Sequence, residues 1–222
     1  MADFSKQLSK YMPEAAAPII SAWINDTGCR FRISRSRRTK LGDYTAPFRG
    51  DTHKISINHD LNTYAFLITT IHEFAHLKTW QRYKHSVKPH GVEWKSSYKE
   101  LMQPFLGLAI FPTDVQQAIV RYMENPAASS CTDLNLYRIL RRYDEAVDSG
   151  ASTIEAIQEG SVFRIKGGRI FQKKERLRKR YKCVELATDK VYLFHPIAEV
   201  FLLQENPVQP GSLPIFKQHN TK

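Results

Sequence analysis

The sequence predicts an α+β chain in two parts: a mainly helical N-terminal domain with a small antiparallel sheet, then a small all-β, barrel-like module. Three observations carry this reading. A segment from about Leu61 to Lys84 contains no Gly or Pro and has the character of a long buried helix. Short alternating β segments precede it. After Gly160 the chain changes to short alternating runs separated by turn residues. With 222 residues, 42% hydrophobic and 25% charged, the composition is that of an ordinary folded protein and excludes wholesale disorder or a fibrous repeat. The expected boundaries are 1–128 for the first domain, 129–159 for a helical connector, 160–206 for the β-module and 207–222 for a flexible tail.

The elements follow in order. Residues 3–25 read as helical, with apolar Leu8, Met12, Ala15, Ile19, Ile20 and Trp23; Pro13 splits the stretch and Gly28 stops it. Arg30 to Ser36 alternates, with Phe31 and Ile33 on one side, and His53 to Asn58 alternates around Ile55 and Ile57, with Gly42-Asp43 and 47–51 read as turns. Pro89 and Gly91 break the chain after the long helix, and another helix is expected from Val92 to Met102. Thr113 and Gln116 form a capping-box pattern for a helix through Tyr122. A loop at 125–131 and a helix from Asp133 to Tyr143 complete this part. In the β-module, Gly167-Gly168 and Thr188-Asp189-Lys190 read as turns on either side of one long alternating segment that ends at Leu186.

No apolar run approaches the roughly 18 residues of a membrane span, and no basic-then-apolar leader opens the sequence. Neither a membrane partner nor a secretory signal is expected. Three widely spaced cysteines, Cys29, Cys131 and Cys183, make no disulfide framework. The cytoplasm, nucleoid-associated or not, is the expected location.

The net charge of +11 is concentrated in two places. Residues 30–40 carry six basic side chains and no acid, and residues 169–182 carry eight and one; outside them the chain is at −2. Such stripes predict a polyanionic partner, with Arg30, Arg32, Arg35, Arg37 and Arg38 in the first, and Arg176, Arg178, Arg180 and Lys182 on one face of a strand in the second. The competing reading is a solvated face or a charged strand edge that discourages aggregation.

His72-Glu73-Phe74-Ala75-His76 is the strongest signal. On a helix, positions 72 and 76 lie about 40° apart around the axis and one turn apart along it, where both imidazoles reach one ion. Glu73 stands beside them, placed to act on metal-bound water. Zinc needs a third protein ligand. Thr79 and Arg82 stand where a metzincin has Gly and His, which removes that class. Glu100 and Glu124 are downstream candidates. His85, on a continued helix, points away from the His72/His76 face. His90 fits better, because a helix ending near Lys84 runs about 12 Å past His76 and six extended residues return about 20 Å.

HEFAHL, followed after 13 residues by His90-Gly91-Val92-Glu93-Trp94-Lys95, resembles the SprT-like (Spartan) metalloprotease family, as does the approach to the helix, ISINHDLNTYAFLITTIHEFAHL. The resemblance covers about residues 25–125. It implies a zincin-like metalloprotease domain with one Zn²⁺ per chain on His72, His76 and His90, and with Glu73 as the catalytic acid/base. It also implies an enzyme associated with DNA, acting on DNA-bound or crosslinked proteins. Many members carry a zinc ribbon with paired CxxC knuckles after this domain. Here Cys131 and Cys183 stand alone, so no second, four-ligand zinc is expected. Two rival functions remain: a non-catalytic nucleic-acid-binding protein with a structural zinc, and another zinc-dependent hydrolase. The intact Glu73 argues against the first, and the lack of an acidic cluster argues against a Mg²⁺ nuclease.

Overall fold

The computed structural model describes residues 2–37, 40–126, 133–144 and 150–204. The chain divides into two compact units, Met1–Glu145 and Ala146–Lys222. This division differs from the boundaries read in the sequence. Within the expected connector, the helix at 134–140 belongs to the first unit, where Leu136 and Leu140 are buried in its core, and Ala151–Thr153 is a strand of the second.

The first unit opens with helix α1 (Ser5–Leu8), a 3-10 turn at Glu14–Ala16 and helix α2 (Ala17–Thr27). Pro18 sits in the first turn of α2, and Gly28 ends it in the left-handed conformation at φ 59°, a position that favours glycine. Strands β1 (Arg30–Ser34), β2 (Gly42–Thr45) and β3 (Lys54–Asn58) form a sheet in the order β1-β3-β2. The sheet is mixed rather than purely antiparallel: β3 pairs parallel with β1 and antiparallel with β2. The cause is topological. The chain runs up β1, down β2 and up β3, and β3 enters between the other two. β2 itself spans the Gly42-Asp43 turn read in the sequence.

Ile55 and Ile57 of β3 are fully buried and share a core with helix α3 (Thr63–Tyr83). Asn62 caps α3 by accepting the Ala65 N–H. The first half of α3 is buried around its circumference, from Ala65 to Ala75. Helix α4 (Val92–Leu106) runs through Pro104 for a turn beyond the expected end. Helix α5 (Thr113–Glu124) begins with Pro112 at the cap position. Thr113 is therefore already inside the helix, and the expected capping box does not form. Helix α6 (Leu134–Leu140), capped by Asp133, continues into a 3-10 turn at Arg141–Tyr143.

The second unit is a six-stranded antiparallel sheet of β4 (Ala151–Thr153), β5 (Val162–Arg164), β6 (Ile170–Leu177), β7 (Arg180–Glu185), β8 (Val191–Phe194) and β9 (Glu199–Gln204). Strands β5 to β8 form a meander, and β9 returns to pair with β5 and β4. The sheet curls on itself. In a flat sheet β5 and β8 would lie about 14 Å apart, three strand spacings. Yet the rings of Phe163 on β5 and Phe194 on β8 are 5.4 Å apart, edge to face. Phe163, Phe171, Cys183, Val200, Ile154 and Ile157 fill the interior. The long alternating segment of the sequence is a hairpin, not one strand. It turns at Arg178-Lys179, with Arg178 at φ 43°.

Candidate metal centre

His72 and His76 stand one turn apart on α3, and His90 lies just before α4, on the connection that begins where α3 ends at Lys84. The Nε2 atom of His72 is 3.2 Å from that of His76 and 3.2 Å from that of His90. Three imidazole nitrogens about 2.05 Å from one tetrahedral ion would stand about 3.3 Å apart, so the spacing fits a shared ion. Among the described residues this is the cluster of three or more His, Cys, Asp or Glu side chains able to hold a metal.

The electrostatics agree with that role. Burial, reinforced by the nearby His76 and His90, holds the His72 imidazole well below its usual range; burial and His90 bring His76 down to about 4, and burial lowers His90. All three are therefore neutral near pH 7, the form in which imidazole binds metal. Trp94 of α4 is fully buried against them, its ring 4.6 Å from His72, 5.4 Å from His76 and 4.7 Å from His90.

The other candidates for third ligand are elsewhere. Glu100 is engaged by Lys78 and Arg82, Glu124 is exposed at the end of α5, and His85 is exposed and packs edge-on near Trp80. Cys183 is buried in the second unit, and Cys131 lies outside the described residues.

Glu73 is buried beneath β2. Its carboxylate accepts the backbone N–H of Tyr44 and lies against Gly42. The same Tyr44 stacks parallel to His76 with ring centres 6.2 Å apart, which ties the carboxylate to the histidine cluster through one residue. Burial pushes the Glu73 carboxyl up to about 8, with Asp43 adding to the rise and Arg37, Lys40 and the Tyr44 N–H opposing it. A carboxyl so placed exchanges its proton near neutral pH.

A family model describing the SprT-like family matches residues 4–117, just over half of the chain. The chain belongs to the SprT-like family. The SprT-like match begins earlier than the motifs alone indicate and takes in α1 and α2, whose buried Leu8, Met12 and Ile20 pack in the same core as α3. No curated protein and no solved structure is recognisably similar to the chain.

Some residues of the SprT-like site were not legible in the motif. Tyr44, Ala46 and Trp80 line the cleft beside His76 and His90. The tyrosines nearest the motif in sequence do not: Tyr64 packs with Phe111 and Tyr143, Tyr83 is exposed at the end of α3, and Tyr98 is buried behind Trp94. The one sequence signal for Tyr44 was its place in a short run flanked by turn residues, too brief to read as a strand.

The basic residues sort into free and engaged. Arg30 and Arg32 are exposed on β1, and Arg35 is exposed just after it. Arg37 is not free: its guanidinium donates to Asn58 Oδ1 at 2.8 Å and to Ser56 Oγ and O, pinning the segment after β1 to β3. Arg38 lies outside the described residues. In the second unit the expectation of four cations along one strand face is corrected by the hairpin. Arg176, Arg178, Lys179 and Arg180 cluster instead at its exposed tip. Lys182 pairs with Glu175 at 2.9 Å. Among the described residues no helix is long and apolar enough to cross a membrane.

Proposed function

We propose that the chain is a zinc-dependent peptidase that acts on proteins bound or crosslinked to DNA. The observation that carries the reading is the convergence of three neutral imidazole nitrogens beside a buried glutamate. Imidazole suits zinc, and three protein ligands are the pattern of catalytic rather than structural sites. When bound, zinc supplies Lewis acidity, lowering the pKa of water at its open position and polarising the scissile carbonyl.

The protein's own residues do the rest. Glu73 takes a proton from the attacking water and returns it to the leaving amine. The Tyr44 N–H holds the carboxylate in place for both transfers. Trp94 closes the site behind the imidazoles and keeps water from reaching them on that side. A purely structural zinc would need no buried base, and that favours hydrolysis over the non-catalytic reading.

DNA association is supported by the exposed arginines of β1 and of the β6–β7 hairpin tip. Contacts to phosphates confer affinity without sequence preference, in keeping with action wherever a protein is attached. The decisive experiment incubates the zinc-loaded protein with a DNA-binding protein crosslinked to DNA, with the same protein free, and with each plus a chelator. Fragmentation that needs zinc and is stimulated by DNA is expected. Intact substrate in every arm would overturn the proposal.

A further inference from the structure

The cleft beside His76 and His90 has a chemistry of its own. It has a volume of about 390 Å³, with Tyr44, Trp80 and Trp94 as aromatic walls and Lys84, His85 and Lys88 along its margin; among the described residues no carboxylate lines it. Lys84 ends α3 at φ 52° and ψ −124°, a conformation few residues other than glycine adopt. Its Nζ lies 3.9 Å from the centre of the Trp80 ring. Among the described residues neither Lys84 nor Lys88 makes an ion pair. Of the nearby acids, Glu100 is held by Lys78 and Arg82, and Glu93, whose carboxylate comes near the backbone of Lys88 at the start of α4, is not part of the lining. The hollow thus offers one ammonium group over an aromatic ring and a second, Lys88, at its exposed margin, against two of the three ligating imidazoles.

We propose that this cleft is a substrate subsite for an acidic side chain, Asp or Glu, flanking the bond that is cut. The proposal rests on the peptidase reading above. A residue next to a scissile bond held at the histidine cluster falls beside His76 and His90. The aromatic walls cover the methylene groups of a glutamate and shield its carboxylate from water on one side, which strengthens pairing with the lysines. A lysine or arginine in the same place would meet two like charges.

The test uses a peptide library randomised around a central position. Cleaved by the zinc-loaded wild type, it is expected to yield products enriched about ten-fold in Asp or Glu at one position flanking the cut. In the double variant Lys84→Glu/Lys88→Glu that enrichment should pass to Lys and Arg, with zinc content unchanged. Lys88→Glu alone should reduce the acidic enrichment without inverting it, and serves if the double variant does not fold. A second readout does not depend on turnover: the same library is passed over immobilised, zinc-loaded Glu73→Gln protein and the retained peptides are sequenced. Acidic enrichment in the retained fraction supports the subsite even if the wild type cleaves nothing, an outcome that would sink the peptidase reading alone. Retained peptides without acidic preference, or a preference unmoved by charge reversal, overturn the subsite. So does displacement of the bound peptides by an oligonucleotide from the parent protein but not from the double variant, which would assign the lysines to phosphate.

Discussion

Gly42 lies against Glu73 so closely that residue 42 has no room for a side chain: a Cβ there would stand 2.7 Å from Thr69 Cγ2 and closer still to Glu73 Oε1. Glycine is required for space rather than for backbone freedom, since its φ is not in the left-handed region. Gly42→Ala should lift β2 away from α3, costing about 1–3 kcal/mol of stability. It should also lower turnover at least ten-fold while leaving metal content unchanged. Thermal unfolding, metal analysis and peptide hydrolysis measured together check this; a fully active, equally stable variant would show that β2 shifts freely.

His90→Ala is expected to lose the metal, or to bind it at least ten-fold more weakly, and His85→Ala to keep it. The basis is the 3.2 Å approach of His90 to His72 against the exposed position of His85. Metal content of the purified variants by elemental analysis decides between them.

Glu73→Gln preserves shape and the Tyr44 contact but cannot take up a proton. Turnover should fall by at least 100-fold, with metal content and melting temperature retained. Loss of the ion would instead make Glu73 a ligand.

Replacing Arg176, Arg178 and Arg180 with alanine should weaken DNA binding and flatten the dependence of log affinity on log salt by about 2–3 units. Lys182 is left in place because Glu175 already engages it. Unchanged affinity and slope would reduce the hairpin tip to a solvated edge.

In the second unit Glu185 accepts from Arg169 Nε at 2.5 Å and from Thr188. Its carboxyl is held down at about 2, first by Arg169 and then by Thr188. A depressed carboxyl pKa contributes stability that is present above the unfolded value, about 4.3, and is lost as pH falls toward the folded one. The difference in melting temperature between wild type and Glu185→Gln should therefore be constant near neutrality and narrow between about pH 4.5 and 2. A gap that persists at pH 2 would mean the pair contributes through packing alone.

The sequence made some elements plain and hid others for physical reasons. α3 was legible because a run without Gly or Pro, apolar around its circumference, has few alternatives. His72 and His76 were legible because helical spacing alone brings them together. β2 was not, because four residues are too few for a period and Gly42-Asp43 carries turn chemistry. Glycine at 42 answers to Glu73, 31 residues away along the chain, which no local pattern can express. The β6–β7 turn was hidden for the opposite reason. Arg178 and Lys179 are not turn formers, and the left-handed Arg178 is imposed by the pairing of Leu177 with Arg180. Arg37 shows the limit of counting charges: composition placed it with the arginines expected to meet a polyanion, whereas its partners are Asn58 and Ser56.

The connection from Lys84 to Gly91 carries the third histidine, and two of its non-glycine residues, Lys84 and His90, hold left-handed backbone at φ 52° and 58°. Within it the backbone bonds are few: Ser86 N–H to Tyr83 and Gly91 N–H to Lys88, with Lys84 N–H to Trp80 and Lys95 N–H to Gly91 tying its two ends to the helices. An ion seated on His72 and His90 therefore acts as a clasp, closing an 18-residue span and opposing the tension stored in those two turns. Occupancy of the clasp and order in the connection are then one linked equilibrium, each favouring the other by the same free energy. A chain emptied by chelation should first loosen here, beside the histidine cluster, while the curled sheet of the second unit keeps its shape.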